Sequence, residues 1–341
     1  MDAVVLKGNG GYDNLEYVTD FKTPIPKENE VLIEVKAAAI NNTDINARIG
    51  WYSKNNNSKE DASWTGEGLK FPLIQGADVC GYIVQVGKNI SSLRIGQRVL
   101  IEPSMEKING KKQKQPVYLG SDCNGGFAKY CVVSSEYAHL VNSDYTDIQL
   151  ASFPCSYSTA ENLLTRADVK KDDIVLITGA SGGVGSAAIQ LAKARGAIVF
   201  AITSQSKSEV IKSLGTSKVI FRDQDLVQTL GKNSVSVVID LVGGKKWPDL
   251  LEVLKPFGRY AVSGAIAGAM VDLDLRTLYL KDLTFFGSTI PKKEIFTNLI
   301  NRIEKKEIKP LVSKVYPLKD IIEAQKEFLT KKHIGKIVLK V

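Results

Sequence analysis

Residues 174–196 constrain the fold of this chain more than any other segment. They read Ile-Val-Leu-Ile-Thr-Gly-Ala-Ser-Gly-Gly-Val-Gly, followed by Ser-Ala-Ala-Ile-Gln-Leu-Ala-Lys-Ala-Arg-Gly. An apolar run is followed by a glycine-rich turn and then by a run with apolar residues at helical spacing, among them Val184, Ala187, Ala188 and Leu191. This order predicts a buried strand, a tight turn and an amphipathic helix.

The turn carries the pattern Ala180-x-Gly182-x-x-Gly185. Glycines let backbone approach a pyrophosphate closely, and the N-terminus of a helix offers unpaired N–H groups and a positive dipole end. A glycine triplet alone is a weak signal, but the strand before it and the helix after it are the context that a dinucleotide site requires. A turn without a ligand is the alternative. The predicted contacts in the turn are Ala180, Ser181, Gly182, Gly183, Val184 and Gly185.

The second predicted strand, residues 197–203, indicates which dinucleotide binds. A site for NAD normally has Asp or Glu about 20 residues past the turn, where the carboxylate binds the ribose 2′-OH. Here the first acidic residue is Glu209. Ser204 can donate a hydrogen bond to a 2′-phosphate, Lys207 supplies a charge, and Arg222 after the next strand adds a second one. The predicted cofactor is therefore NADPH.

Length and composition exclude several classes of protein. At 341 residues, with 44% apolar and 24% charged residues, the chain has the size of a two-domain soluble enzyme. No apolar run approaches about 18 residues, so no membrane contact is expected, and the N-terminus does not resemble a signal peptide. The four cysteines are widely spaced, which predicts free thiols in a reducing cytoplasm. The net charge of +8 is spread along the chain without a nucleic-acid signature, so nucleic acid is not an expected partner.

The chain divides into three regions, which together predict an α/β protein. Residues 1–145 carry short strands such as 30–36 and 81–87, which predict a partly open β-barrel or a mixed sheet. Residues 146–287 alternate strands with helices, as in a doubly wound parallel sheet. The predicted strands there are 174–178, 198–203, 218–221, 235–239, 258–263 and 283–287. Residues 288–341 return to the first region, with a helix at 319–330 and a terminal strand at 336–341. The polar insertion at 53–70 is expected to be a mobile loop.

Seven short motifs resemble those of the medium-chain dehydrogenase/reductase superfamily. They lie at 41–44, 76–81, 86–87, 96–99, 125–130, 179–185 and 335–339, so the resemblance covers nearly the whole chain. It implies a GroES-like substrate domain, a partly open β-barrel built from residues 1–145 and 288–341. It also implies a Rossmann nucleotide domain, a doubly wound parallel sheet, over residues 146–287. A homodimer formed through the strand around residues 284–288 is a further implication of the resemblance.

The resemblance also bears on metal binding. Zinc alcohol dehydrogenases of the superfamily carry Cys at the position of Asn41 and His at the position of Ala77, whereas their third ligand matches Cys155. Catalytic zinc needs three protein ligands, so this set is incomplete. The structural zinc needs four close cysteines, but residues 101–131 offer only Cys123 and Cys131. No metal site is expected.

The chain is therefore similar to the zinc-free branch, which contains NADPH:quinone oxidoreductases and NADPH-dependent enoyl or alkenal reductases. Without a Lewis acid, the accessible chemistry is hydride donation to a small-molecule electrophile, either a quinone or an α,β-unsaturated carbonyl. A metal-independent alcohol or aldehyde reductase is one alternative. A non-catalytic NADPH-binding protein with a structural or RNA-binding role is another.

Three residues are predicted to carry the chemistry. Tyr52 matches a tyrosine that enoyl reductases of this branch use to donate a proton or hydrogen bond, although a packing role at the cleft edge is equally open. Asn41 is predicted to hydrogen-bond a carbonyl oxygen or the nicotinamide ribose. Thr43 occupies the proton-relay position of the superfamily, and Asp44 is expected to orient neighbouring backbone.

Further contacts follow from the resemblance and the sheet. Thr159 is predicted to lie near the nicotinamide ribose. Val242 and Ser263 follow predicted strands and are expected at the carboxyl edge of the sheet, which faces the dinucleotide. Trp51 and Trp64 are candidates for an apolar wall against a flat acceptor.

Overall fold

The structure is a computed structural model that describes residues 1–54 and 68–341. Up to residue 166 the elements are β1 (Ala3–Leu6), β2 (Leu15–Val18), β3 (Glu30–Ala39), α1 (Asn42–Ile49), β4 (Leu73–Ile74), β5 (Asp78–Val86), β6 (Arg98–Ile101), β7 (Ser104–Ile108), β8 (Lys111–Tyr118), β9 (Tyr130–Ser134), β10 (Ala138–Leu140), α2 (Asp147–Leu150) and α3 (Pro154–Arg166). The remaining elements are β11 (Ile174–Ile177), α4 (Gly183–Ala194), β12 (Ile198–Thr203), α5 (Ser208–Ser213), β13 (Lys218–Phe221), α6 (Leu226–Leu230), β14 (Val235–Asp240), α7 (Trp247–Val253), β15 (Leu254–Val262), α8 (Leu275–Leu280), β16 (Thr284–Gly287), α9 (Glu294–Glu304), β17 (Val312–Pro317), α10 (Ile321–Leu329) and β18 (Lys336–Lys340).

These elements form two units. The first unit combines Met1–Cys155 with Pro310–Val341, and the second is Ser156–Lys309. Both boundaries lie later in the chain than the predicted 145/146 and 287/288. Helix α2 contacts β3 and β5, which keeps it in the first unit. Residues 288–290 stay with the second unit because Asn162 binds Ser288 and Ile290, and Arg166 binds the carbonyl of Ile290.

The second unit is built on a parallel sheet of six strands. Their order is β13-β12-β11-β14-β15-β16, and every neighbouring pair is parallel. The central strands β11 and β14 consist largely of Ile, Val and Leu, and the side chains of β14 are all buried, as expected for strands covered on both faces. The doubly wound parallel fold is confirmed.

The first unit is built on a mainly antiparallel sheet of seven strands. Six strands follow the order β10-β6-β5-β3-β18-β17, and β9 also pairs with β3. The terminal strand β18 pairs antiparallel with β3, with Val338 opposite Ala39. The prediction that the C-terminal strand joins the first region is therefore confirmed. This pairing brings the start of β18 to the end of β3, where the candidate site begins.

Two further features of the first unit matter for the site. Helix α1 follows β3 directly and ends at Gly50, which adopts a left-handed conformation with φ 74°. The antiparallel hairpin of β7 and β8 ends at Tyr118. Residues 55–67 lie outside the description, so the prediction of a mobile loop at 53–70 is untested. None of the helices formed by the described residues combines the length and apolar character needed to cross a membrane.

Candidate active site and dinucleotide-binding turn

Tyr52 lies just beyond the end of α1, and its phenol is held by residues of that helix. The hydroxyl group hydrogen-bonds with the side chains of Thr43 and Asn46. Tyr52 is half-buried, and desolvation raises the pKa of its phenol more than these two hydrogen bonds lower it. At neutral pH the phenol therefore keeps its proton and can donate it. Tyr52 and Thr43, predicted separately, lie within one hydrogen-bonded group.

The predicted apolar wall is only partly described. Trp51 is an exposed residue whose ring meets that of Tyr52 edge-to-face, with the ring centroids 5.4 Å apart. Trp64 lies outside the described residues. The proposed wall against a flat acceptor thus has one described member, which stands beside the candidate proton donor.

Asp44 links the start of α1 to the residues before β5. Its Oδ2 accepts a 2.7 Å hydrogen bond from the backbone N–H of Asn41, and its carbonyl accepts one of 2.8 Å from the Gln75 side chain. The carboxyl is buried, and desolvation raises its pKa to about 7 despite the opposing effects of the Asn41 N–H and the Lys336 charge. Asp44 therefore orients backbone, as expected, and also titrates near neutral pH.

A buried ring of three side chains occupies the junction of β3, β5 and β18. The Lys336 ammonium donates to Asn41 Oδ1 at 2.5 Å and contacts Asp78 Oδ2 at 2.7 Å. Asn41 closes the ring by donating from Nδ2 to Asp78 Oδ2 at 2.9 Å, and Nδ2 also donates to the carbonyl of Ala39. The head group of Asn41 is thus engaged inside the protein, and its predicted contact with a substrate or ribose stays a prediction.

Cys155, at the start of α3, connects this ring to the β7–β8 hairpin. Its backbone N–H donates to Asp78 Oδ1 at 2.6 Å, and its Sγ lies 3.2 Å from the Tyr118 hydroxyl. Desolvation and the Asp78 charge raise the pKa of the Cys155 thiol to about 12, so it remains a thiol at neutral pH. Burial also raises the pKa of Tyr118.

The second unit holds the predicted dinucleotide turn between β11 and α4. Gly179 has φ 58°, and Gly182 is the N-cap of α4. A Cβ at Gly185 would collide with the carbonyl oxygen of Gly179, so this position requires glycine. The buried Ala180 takes the place of the first glycine, and its N–H binds the carbonyl of Ile202. Ser181, Gly183 and Val184 are partly exposed. These residues fit a pyrophosphate at the start of a helix.

The residues predicted to recognise the 2′-phosphate gather at the ends of β12 and β13. Lys207 Nζ donates to Ser181 Oγ at 3.3 Å, which ties this group to the turn. Desolvation lowers the pKa of Lys207, and the nearby positive charge of Arg222 lowers it further. Ser204 Oγ lies 3.2 Å from Ser206 Oγ. Two cations held beside hydroxyl groups suit a phosphate dianion.

Asp240, at the end of β14, organises the loop that carries Val242. Its buried carboxylate accepts hydrogen bonds from Thr178 Oγ1 at 2.6 Å, from the Tyr260 hydroxyl at 2.7 Å and from the N–H of Val242 at 2.9 Å. Ser263 N–H donates to the Asp240 carbonyl. Val242 and Ser263 therefore lie on one loop cluster at the carboxyl edge of the sheet, whereas Thr159 lies half-buried on α3.

Comparison with known proteins identifies the family. The family described as "Alcohol dehydrogenase GroES-like domain" matches residues 27–143, and "Zinc-binding dehydrogenase" matches residues 183–305. A solved Sinorhizobium meliloti protein with the provisional name alcohol dehydrogenase is 42% identical, has a TM-score of 0.93, and is matched over 96% of its chain by 100% of this one. The chain belongs to the medium-chain dehydrogenase/reductase superfamily.

Two further relatives carry other names. Acryloyl-coenzyme A reductase of Sulfurisphaera tokodaii is 29% identical, with 100% of both chains covered. Quinone oxidoreductase of Sus scrofa is 27% identical, with 99% of this chain and 97% of the relative covered. Together these relatives support a nicotinamide-dependent oxidoreductase of the superfamily.

The side chains at the positions of the superfamily's catalytic zinc do not fit the metal. Asn41 has an amide and Ala77 a methyl group, whereas zinc binds thiolate, imidazole or carboxylate, so Cys155 would be the one ligand among the three positions. Among the described residues, no group of three or more His, Cys, Asp or Glu side chains could hold a metal ion.

Three residues of the site escaped sequence reasoning in these roles. Lys336 lies in the closing motif and was assigned only to a strand, whereas Tyr118 and Asp240 were not named as site residues. The sequence gives one signal for a buried partner: Lys336, a charged residue, begins an otherwise apolar strand.

Proposed function

We propose that this chain is an NADPH-dependent reductase of quinones or of carbon–carbon double bonds conjugated to a carbonyl, and that it works without zinc. The observation that carries the proposal is the set of side chains at the zinc positions: an amide at Asn41 and a methyl group at Ala77, which leave Cys155 as the one remaining ligand of the three. The zinc alcohol dehydrogenases of the superfamily use the metal as a Lewis acid to acidify the hydroxyl of their substrate. A conjugated acceptor is already electrophilic and needs only stabilisation of the charge that develops on its oxygen.

The choice of NADPH rests on the charges at the ends of β12 and β13. Besides desolvation, the positive charge of Arg222 lowers the pKa of Lys207, so the two cations lie close enough to repel each other. A bound phosphate dianion would offset this repulsion. Thr203, the last residue of β12, is a neutral residue near the position where NAD-specific sites hold a carboxylate. Its buried Oγ1 has no hydrogen-bond partner among the described residues.

Tyr52 is the proposed proton donor. When bound, NADPH supplies a hydride, and the hydride electrons leave a negative charge on the acceptor's carbonyl oxygen. The phenol, oriented by Thr43 and Asn46, donates its hydrogen bond to that oxygen and can then pass on its proton. One hydride and one proton together reduce the conjugated double bond, and Tyr52 regains its proton from solvent.

The test is consumption of NADPH by the purified protein with quinones, enals and enones, together with its metal content by elemental analysis. We expect turnover that a strong chelator leaves unchanged. Stoichiometric zinc combined with loss of turnover on chelation would overturn the proposal.

Alcohol dehydrogenase is the second candidate, because the solved relative that is 42% identical bears that provisional name. Oxidation of simple primary and secondary alcohols with NADP⁺, faster than reduction of any conjugated acceptor, would favour it. The two candidates share the cofactor site and differ in the acceptor site.

We also propose that the chain forms a homodimer through the edge of the parallel sheet. Strand β16 ends that sheet, and nearby α8 exposes Tyr279 and Leu280, which are 61% and 71% accessible. A second copy would bury this apolar surface. Light scattering should show a dimer for the wild type and a monomer for Leu280→Asp. The control Leu93→Asp alters a leucine of the first unit that is even more exposed, at 87%, and should remain dimeric.

A further inference from the structure

Arg48 is a buried cation in the last turn of helix α1. Only 2% of the residue is accessible, although arginine is almost always exposed. Its Nε donates to Gln325 Oε1 at 3.2 Å, and its Nη1 donates to the Gly10 carbonyl at 2.7 Å, so both hydrogen bonds go to neutral oxygens. Burial lowers the pKa of the guanidinium against the smaller opposing effects of Tyr12 and Asp13. A charge buried at such a cost is typical of a functional site.

The loop between β1 and β2 wraps around Arg48. Gly10 is held from both sides, since its N–H donates to the Arg48 carbonyl at 2.8 Å while its own carbonyl accepts from the guanidinium. Gly10 has φ 147°, a backbone conformation that residues with a Cβ rarely adopt. Asn9 Nδ2 donates to the carbonyl of Ala47 at 2.8 Å. The loop therefore binds two carbonyls in the last turn of α1.

Helix α10 reaches the same point from the other end of the chain. Its residue Gln325 is completely buried and accepts the hydrogen bond from Arg48 Nε. The Tyr12 ring of the β1–β2 loop meets two cations, the Arg48 guanidinium at 4.4 Å from the ring centroid and the Lys326 ammonium of α10 at 5.6 Å. Both are cation–π contacts. Arg48 thus joins α1, the β1–β2 loop and α10.

These contacts hold the part of the chain from which Tyr52 projects. The C-cap of α1, Gly50, lies two residues after Arg48, and the N–H of Trp51 donates back to the Asn46 carbonyl at 2.8 Å. The Tyr52 hydroxyl binds side chains of the same helix, among them that of Asn46. The orientation of the phenol is therefore set within α1, whereas the contacts of Arg48 set where the end of α1 lies in the first unit.

We infer that Arg48 is a positioning residue for the proton transfer, and that it holds the end of α1 where the Tyr52 phenol can reach the oxygen of the acceptor. The inference rests on the proposed function, in which Tyr52 donates that proton, and adds a residue that acts only through Tyr52. Position matters for such a step, because a displacement of about 1 Å can lower a rate about 100-fold.

The experiment is a double-mutant cycle between Arg48 and Tyr52 in the full chain, with a quinone or enone that the wild type reduces. Arg48→Met removes the two hydrogen bonds and the charge over Tyr12 while keeping an unbranched side chain. We expect it to lower kcat about tenfold and to change the dissociation constant for NADPH by less than about twofold. In the Tyr52→Phe background the same substitution should lower kcat by less than about twofold, because the donor that it displaces is already absent.

Arg94→Met is the matched control. Arg94 is another arginine of the first unit whose guanidinium binds neutral oxygens, those of Gln97 and Ser135. Its replacement should lower the free energy of unfolding in urea and leave kcat unchanged. If Arg48→Met does not fold, as judged by circular dichroism, Arg48→Lys keeps a charge but loses the planar fork that makes the two hydrogen bonds, and the same pattern is expected of it.

The outcomes separate this inference from the proposed function. An unchanged kcat in Arg48→Met, an equal loss with and without Tyr52→Phe, an equal loss in Arg94→Met, or a loss of NADPH affinity as large as that of kcat would each overturn the positioning role alone. An unchanged kcat in Tyr52→Phe would overturn the proposed proton donor, and the role of Arg48 would fall with it.

Discussion

Replacing Lys207 by alanine tests the cofactor assignment most directly. The ammonium donates to Ser181 Oγ in the dinucleotide turn and lies near the charge of Arg222. If these residues hold a 2′-phosphate, Lys207→Ala removes one charge-assisted hydrogen bond, which contributes about 1.5–3 kcal/mol. At about 1.4 kcal/mol per tenfold change, the affinity for NADPH should fall about 10- to 150-fold.

The comparison with NADH makes the measurement specific. NADH has no 2′-phosphate, so its affinity should change no more than about threefold, a loss that reflects the bond to Ser181 in the turn. Titration of cofactor fluorescence gives both dissociation constants, and increasing salt should weaken NADPH binding more than NADH binding in the wild type.

Lys212→Ala is the matched control, because Lys212 lies on the neighbouring helix α5 in an exposed pair with Glu209. It should leave both dissociation constants unchanged. An equal loss for the two cofactors in Lys207→Ala would mean that Lys207 only shapes the turn, and tight NADH binding by the wild type would refute the reasoning altogether.

Three further variants test other parts of the site. Tyr52→Phe should lower kcat at least tenfold with little change in the dissociation constant for NADPH, and unchanged turnover in steady-state assays would return Tyr52 to a packing role. Asp44 has a folded-state pKa of about 7 against 3.8 for a free aspartate, so its ionisation opposes folding by up to about 4 kcal/mol as pH rises from about 4 to above 7. Urea unfolding of Asp44→Asn should therefore show a gain over the wild type that grows across this range, and a pH-independent difference would contradict it. Asp240→Asn puts an amide opposite the Thr178 and Tyr260 hydroxyls and should cost about 3 kcal/mol in urea unfolding, whereas a loss below about 0.5 kcal/mol would show that the carboxylate is dispensable.

The fold could be predicted because it follows from local sequence patterns, namely glycine positions and hydrophobic periodicity. The turn from Gly179 to Gly185 depends only on residues close together in the sequence. Gly179 needs a positive φ, and Gly185 packs so closely on the Gly179 carbonyl that it has no room for a Cβ. Both requirements are visible as glycines in the sequence. The alternation of strands and helices likewise follows from local periodicity, which is why the parallel sheet and its strands could be predicted.

Contacts between segments that lie far apart in the sequence could not be predicted from it. The pairing of β18 with β3 was expected from the apolar character of the last strand, but not the register that brings Lys336 beside Asn41. Tyr118 reaches Cys155 only because residues 111–118 form a hairpin strand rather than a loop. The unit boundary lies later in the chain than the predicted 287/288, and side chains of α3 contact residues 288–290 across a distance in sequence that local patterns do not show.

The charge of the candidate site and the chemistry proposed for it constrain each other. The zinc alcohol dehydrogenases of the superfamily acidify the alcohol with a Lewis acid at its oxygen, and an ammonium already engaged by Asn41 and Asp78 is a poor substitute. An acceptor with a conjugated carbonyl makes a smaller demand, because a single oriented donor such as the Tyr52 phenol can stabilise the charge that hydride addition places on oxygen. The phenol must stay protonated until that charge develops, and the desolvation that raises its pKa has this effect. A buried ammonium that is already engaged and a phenol that holds its proton therefore support the proposed reduction of activated double bonds over the oxidation of alcohols.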